Sequence, residues 1–577
     1  MDSAVFWIIG DLLLDRIDRA DTWKGTYSLP MASGTAPAQL PDMRLSFFLA
    51  LAACSSGASA VSDGGVADAP SSSDVAVYDS ASDAGGDAGW TFEPATSVAE
   101  LTQNNTAGCG SSAAPCTGAW TQTHTVTYGS GSYSGQTHTV DGFWDHLVAG
   151  GAHNAGSAKG YVSKVPVSVL LPGHSVPVFV ETQDWWGNGN GHIDNGEDST
   201  NAAQMANQVS DHISRGFAGQ VLDWYGQGTT ADKALPAIKA NAEASGGKYQ
   251  FAVMIDKGLF SSCGETVTCL NDAIAYLVTS YTASPAYLKD GNGHPILFFF
   301  INDYYPTEYA ILNDSGVNAM GTTFVMYEPN GFPKNAPPNT IGEYGWVNPA
   351  DGAMTMSTGS AGTFSWATDF SFGDLGSFFH AAAANPTSYA VSEVHKGFDD
   401  NLANWSMNRI IDQRCGATWL ETFNHTGSFG GSATYMGSLN YLASGGKLDF
   451  IMVDTWDDYE EGTEIETGID NCLSSLDVTL VGSTLSWTLT WGADPMDSTV
   501  TGSESTVYQY SVYAAQGATE LMDIADLVCT GGTCPHTFDV STLAITGGPY
   551  VFYVEAVGMP SIVNTLAGPT TASFSVP

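Results

Sequence analysis

Eight short apolar runs recur between Val178 and Asp454, and most end in or just before a carboxylate or an aromatic ring. They are Val178-Phe-Val-Glu181, Gln220-Val-Leu-Asp223, Phe251-Ala-Val-Met-Ile-Asp256, Ile296-Leu-Phe-Phe-Phe-Ile301, Thr323-Phe-Val-Met-Tyr-Glu328, Glu343-Tyr-Gly-Trp346, Tyr389-Ala-Val-Ser-Glu393 and Phe450-Ile-Met-Val-Asp454. Helical patterns lie between several of them: Asn201 to Arg215, Lys233 to Ser245, Leu270 to Tyr281 and Thr434 to Ala443. Strands that alternate with helices imply parallel pairing through right-handed crossovers. Eight such units over roughly 300 residues predict an α/β fold, a (β/α)8 barrel of the TIM type. An open doubly wound sheet is the alternative, but the Gly-rich phosphate turn expected of a dinucleotide-binding one is missing.

The flanks differ from this core. The run Met43-Arg-Leu-Ser-Phe-Phe-Leu-Ala-Leu-Ala-Ala-Cys54 resembles a bacterial lipoprotein signal, with Cys54 as the acylated residue. Its apolar stretch is shorter than the ~20 residues that span a bilayer. Residues 1–42 are then expected to lie upstream of the true start, and 43–54 to be the signal. Residues 55–89, mostly Ser, Ala, Gly, Asp and Val, read as a disordered tether. Residues 90–168 read as a short β-rich lead-in, 169–473 as the barrel and 474–577 as a β-sandwich. In that last part Leu485 to Trp491, Val507 to Tyr513, His536 to Asp539 and Tyr550 to Val557 alternate with period two, as in a seven-stranded sandwich. The piece from Tyr550 to Gly558 resembles a late strand of a fibronectin type III domain, a module that serves as a spacer or weak glycan binder.

Charge excludes some partners. With 60 acidic against 17 basic residues and a formal net charge of -43, the chain lacks the clustered cations that nucleic acid requires. An anionic membrane surface is disfavoured for the same reason, which leaves a lipid anchor as the only expected membrane contact. Only 13% of residues are charged, against a usual ~25%, which points to a secreted protein; the lipoprotein resemblance implies a place at the bacterial cell envelope, on the surface or extracellular. With Cys54 lipidated, eight of the nine cysteines remain. The expected disulfides are Cys109 with Cys116, Cys263 with Cys269, Cys529 with Cys534, and Cys415 with Cys472, as suits an oxidising compartment.

The densest chemistry lies in Asp454-Thr-Trp-Asp-Asp-Tyr-Glu-Glu-Gly-Thr-Glu-Ile-Glu466, directly after the eighth run. Asp457, Asp458, Glu460, Glu461, Glu464 and Glu466 crowd together, and like charges raise one another's pKa. A solvated acidic loop is the plain alternative. Trp456, Tyr459 and Ile465 interleave the acids, however, and clustered acids of this kind mark functional sites.

This segment resembles the signature of glycoside hydrolase family 99, the endo-α-mannosidases and endo-α-mannanases, and is similar to that of family 71, the α-1,3-glucanases. Val221-Leu-Asp-Trp-Tyr-Gly226 and Gly345-Trp-Val-Asn348 also look like strand-end segments of this group. In both families two acids three positions apart follow the last barrel strand, here Asp458 and Glu461. The resemblance implies an endo-acting hydrolase of an α-linked polysaccharide that needs no cofactor. Glu461 would be the general acid/base, and Asp458 would assist the nucleophile, either water or the sugar's 2-hydroxyl. Trp456 and Tyr459 would stack on sugar. Asp458 stands where family 99 has Glu, which is closer to family 71.

Other substrate-binding candidates follow the strand ends. They are Asp184 and Trp185; Asp223, Trp224 and Tyr225; Asp256 and Lys257; Asn302 and Asp303; and Glu328, Trp346, Glu393 and His395. Each aromatic taken singly could equally be a core residue. Trp186 to Glu197 partly matches an EF-hand-type calcium loop, with Asn188, Asn190, Asp194 and Glu197 as ligands. Its first position is Trp186 rather than a carboxylate, and a Gly-Asn turn at the barrel mouth explains it as well. No G-x-S-x-G or HExxH is present. A barrel that has lost catalysis and only holds polysaccharide, and a structural lipoprotein without glycan affinity, are the competing readings.

Overall fold

The computed structural model describes residues 162–187, 192, 198–302, 304–327, 336–349, 365–400, 403, 405, 410–424, 426–429, 432–435, 437–494, 499–517, 520–530, 533–543 and 547–576, with 97–98, 101 and the strand residues 123–127, 137–141, 146–148 and 151–153. Residues expected to form the signal and tether, including Cys54, lie outside this set, as do Cys109 and Cys116.

Eight parallel strands close into a barrel. They are β1 (Val178–Thr182), β2 (Gly219–Trp224), β3 (Gln250–Asp256), β4 (Ile296–Phe300), β5 (Thr323–Tyr327), β6 (Thr340–Tyr344), β7 (Tyr389–Val394) and β8 (Phe450–Val453). Closure is made by β8 on β1, with Ile451 opposite Val178, so the sheet is not open. Side chains on a strand alternate between faces. Phe179, Val221, Met254, Val391 and Met452 share one buried cluster inside the barrel. Val178, Val180, Ile451 and Val453 pack in another cluster outside it.

The outer layer comprises α1 (Ala202–Ser214), α2 (Thr230–Ala244), α3 (Leu259–Cys263), α4 (Val267–Ser280), α5 (Pro306–Leu312), α6 (Ser365–Ala384), α7 (Ala417–Phe423) and α8 (Ser438–Ala443). Asn201, Thr229 and Thr266 cap α1, α2 and α4 through their side-chain oxygens, each satisfying an otherwise unbonded N–H. In α6, Leu375, Phe378, Phe379 and Ala382 form one helical face on the core. No helix lies between β5 and β6 among the described residues. Strand β6 begins three residues earlier than the sequence pattern suggests. Gly342 interrupts that pattern, yet it is required there: a Cβ would lie 1.7 Å from the Tyr389 carbonyl oxygen.

Residues 473–576 form two antiparallel sheets around one core. Strands β9 (Leu473–Val481), β10 (Thr484–Trp491) and β13 (Thr537–Asp539) make the first. Strands β11 (Val507–Gln516), β12 (Glu520–Val528), β14 (Gly547–Gly558), β15 (Thr565–Leu566) and β16 (Phe574–Val576) make the second. Leu485, Trp487, Val512 and Phe552 fill the space between them.

The seam with the barrel is apolar and bonded. Ile469, Met559 and Ile562 join the outer barrel core. Ile469 N–H donates to Ser561 O at 2.9 Å, Val563 N–H to Ile469 O at 3.1 Å, and the Trp419 indole to Pro560 O at 2.9 Å. The Cys415–Cys472 disulfide crosses the same seam, and Cys263–Cys269 and Cys529–Cys534 also form.

Candidate active site

On five strands the inward register ends in a carboxylate. Glu181 follows Phe179, Asp223 follows Val221, Asp256 follows Met254, Glu393 follows Val391, and Asp454 follows Met452. The apolar barrel interior therefore gives way to acids at the C-terminal strand ends, the face on which barrel active sites are built.

Above this layer opens a cleft of about 1080 Å³. Among the anticipated residues, Trp185, Asp223, Tyr225, Asp256, Lys257, Asn302, Trp346, Asp458 and Glu461 line it. Gln183, His192, Tyr304, Tyr305, Phe300, Tyr327 and Trp405 complete the walls.

The acidic segment sorts itself by partners. The Asp457 carboxylate accepts the Gln183 N–H at 2.8 Å and the Trp186 indole at 3.1 Å, tying the loop to the end of β1. Glu460 bonds His192 Nδ1 at 2.8 Å. Glu464 pairs with Lys396 at 2.8 Å, fully buried on both sides. Glu466 accepts the Tyr459 hydroxyl at 2.7 Å. The cleft receives the remaining two, Asp458 and Glu461. Asp458 Oδ1 accepts the N–H groups of Glu460 at 3.0 Å and Glu461 at 2.9 Å, and its own N–H donates to Thr455 Oγ1 at 2.8 Å. The bond from Glu461 N–H to the Asp458 side chain fixes the two acids relative to each other.

Electrostatics follow from burial. Asp458 is held well above the usual carboxylate range, first by burial and then by the charges of Glu461 and Glu460. Burial and Asp256 push Asp223 up in the same way, although Tyr225 donates its hydroxyl to Asp223 at 2.6 Å. Asp256 is pushed up to about 6 by burial, against the pull of nearby backbone N–H groups and Lys257. Below the floor, neither oxygen of fully buried Glu181 has a hydrogen-bond partner. Burial and the charges of Asp223, Asp457, Asp454 and Asp458 raise its pKa well above normal.

Several anticipated binding residues lie elsewhere. Trp224 occupies the outward register of β2, packs in the outer core and donates its indole to Asp232 at 3.1 Å. Trp456 is fully buried outside the barrel, under the Arg215 guanidinium and edge-on to His212. Tyr459 is spent on Glu466, and its ring meets Trp186. Asp184 is buried and accepts from Gln208 and Gln220 at 3.1 and 3.2 Å. Glu393 and His395 bond each other at 2.9 Å in a buried pair beside Asp454. None of these six lines the cleft. Asp303, Glu328 and the calcium candidates Asn188, Asn190, Asp194 and Glu197 lie outside the described residues.

Sequence reasoning passed over Trp405 and His192. The His192 ring stacks on Trp185 with centroids 4.2 Å apart, and Trp405 donates its indole N–H to Glu461 at 2.8 Å. Neither follows a strand, so the strand-end signal could not reveal them.

Comparisons with known proteins are sparse. No family model matches the chain, and no curated protein matches it. Among solved structures, the GH99 endo-alpha-mannosidase from Bacteroides thetaiotaomicron in complex with BIS-TRIS-propane is 17% identical, covering 50% of this chain and 86% of its own, with a TM-score of 0.36. A second structure of that enzyme is 17% identical over 50% of this chain and 87% of its own, at 0.35. A structure described as a glycoside hydrolase is 9% identical over 63% of this chain and 89% of its own, at 0.30. At these scores the likenesses carry no argument, and the closed barrel stands on its own strand pairing.

Proposed function

We propose that the chain is a glycoside hydrolase that cleaves an α-linked polysaccharide, α-mannan or α-1,3-glucan, with Asp458 and Glu461 as its acid–base pair. One observation carries this reading. Of the six crowded acids after β8, four are tied to structural partners, and the two that the family resemblance singles out both reach the open cleft. Glycoside cleavage asks for two carboxyl groups. One gives its proton to the leaving glycosidic oxygen as the C1–O bond breaks. The other takes a proton from the attacking hydroxyl, that of water or of the sugar's own 2-hydroxyl.

The resemblance gives Glu461 the acid/base role, whereas burial favours a proton on Asp458 in the free cleft. The charge of Glu461 is itself one of the causes that favour the proton on Asp458. Trp185, Tyr225, Tyr304 and Tyr305 line the cleft with aromatic rings, which suits sugar binding. No cofactor is needed for this chemistry. In the same reading Cys54 carries a lipid anchor at the cell envelope and residues 55–89 form the tether. The C-terminal sheets, fibronectin type III-like, act as a spacer, and cleavage is endo.

The test is release of reducing ends from α-mannan and from α-1,3-glucan by wild type and Glu461→Gln side by side. Release by wild type alone supports the hydrolase, and the responding polymer names the linkage. Tight binding without release by either protein supports a binding module instead.

A further inference from the structure

We propose that the β2–β3 end of the cleft is a subsite for a positively charged nitrogen, so that the polysaccharide of the hydrolase reading, on which this inference rests, is an amine-bearing glycan. Asp223 and Asp256 end neighbouring strands and both face the cavity. Asp223 is only 4% exposed, yet its Oδ1 has no hydrogen-bond partner, while Tyr225 occupies Oδ2. Asn302, 1% exposed and on the same cavity wall, leaves its Nδ2 without an acceptor. A buried polar atom without a partner is costly unless a ligand completes it.

The choice between an amine and a hydroxyl follows from charge. The cleft lining carries four carboxylates, Asp223, Asp256, Asp458 and Glu461, and one lysine. Lys257 turns its ammonium over the Tyr305 ring, 4.2 Å from the centroid, rather than bridging Asp223 and Asp256. Burial and the neighbouring Asp256 favour a proton on Asp223 in the free cleft, and a neutral sugar hydroxyl brings no charge to replace it. An ammonium brings three donors and the charge that offsets both acids. Tyr225, which bonds Asp223 and lines the same cavity, places an aromatic ring beside the site, and a cation favours such a neighbour. Asn302 Nδ2 then serves an adjacent sugar oxygen. A uronate or a sulfated sugar would add a like charge to the same field.

The experiment titrates the whole protein at pH 7 with glucosamine, N-acetylglucosamine and glucuronate, by calorimetry or ligand NMR. Glucosamine is expected to bind at least tenfold more tightly than the other two, and Asp223→Asn to remove that preference. The wild-type ranking stands whether or not the variant folds. Equal affinity for glucosamine and N-acetylglucosamine overturns the proposal, as does displacement of glucosamine by an equal concentration of calcium ions. Cleavage of a neutral polymer without the preference sinks this inference alone, and the preference without cleavage of any polymer sinks the hydrolase reading alone.

Discussion

The indole N–H of Trp405 donates to a carboxylate oxygen of Glu461 at 2.8 Å, and the same ring stands edge-on to Trp185 with centroids 5.8 Å apart. A partly exposed tryptophan thereby sets the direction of a cleft acid. Trp405→Phe keeps the ring and removes the donor. Its kcat on the responding polymer is expected to fall about tenfold with KM within about twofold, as loss of orientation predicts. Trp405→Leu should raise KM as well. Steady-state kinetics of the two variants separate the roles.

Asp412 and Asp494 are both buried near the seam, where Arg414 N–H donates to Asp412 at 2.9 Å and Cys415 N–H to Asp494 at 3.0 Å. Burial, then the charge of Asp494, pushes Asp412 up to about 8. Between the ordinary carboxylate value and about 8 the folded protein holds a proton that the unfolded chain has lost. Stability therefore falls as pH rises through that window and levels off above it. The melting temperature should be higher at pH 5.5 than at pH 8.5 by at least about 2 °C, the order expected for roughly 1 kcal/mol. Asp412→Asn should flatten this slope in calorimetric scans.

The disulfides should differ in weight. Cys415–Cys472 closes 57 residues and Cys263–Cys269 closes 6. Chain entropy values the first at about 4 kcal/mol and the second at about 2. Replacing Cys415 and Cys472 by Ala should lower the denaturant midpoint more than the same change at Cys263 and Cys269. An equal loss would contradict the loop-length argument.

Lys396 and Glu464 pair with no exposure on either side. Removing one partner of such a pair leaves a buried charge and costs roughly 3–5 kcal/mol. Lys396→Met is expected to lose stability of that order in denaturant titration. The double change Lys396→Met with Glu464→Met should recover part of it.

The barrel was legible because its strands are buried on both faces, and such strands read as unbroken apolar runs like Phe251 to Ile255. The acids at their ends were legible for a related reason: an inward register that turns from Met452 to Asp454 marks the edge of the apolar core. Burial of side chains beyond the strands was not legible. Trp456 and Tyr459 sit two and five residues past Asp454 in a loop without a fixed period, so spacing alone could not say which rings turn outward. Trp224 shows the limit of the strand-end rule, because the residue after Asp223 must point away from the cleft. Helix α6 was missed because Gly373 and Gly376 dilute its pattern, although Leu375 to Ala382 supply a good apolar face.

The bonds between Ile469 and residues 561–563 give the protein an order of assembly. During synthesis the loop that bears Asp458 and Glu461 leaves the ribosome well before its clamp. Only when residue 563 has emerged can Ile469, just after the acidic segment, take up its two bonds. A nascent chain stopped at Cys472 would have all eight barrel strands and the Asp457 and Lys396–Glu464 ties of the acidic loop, but not the two Ile469 bonds. The segment that follows both acids thus gains its last support from sheets that are made after it.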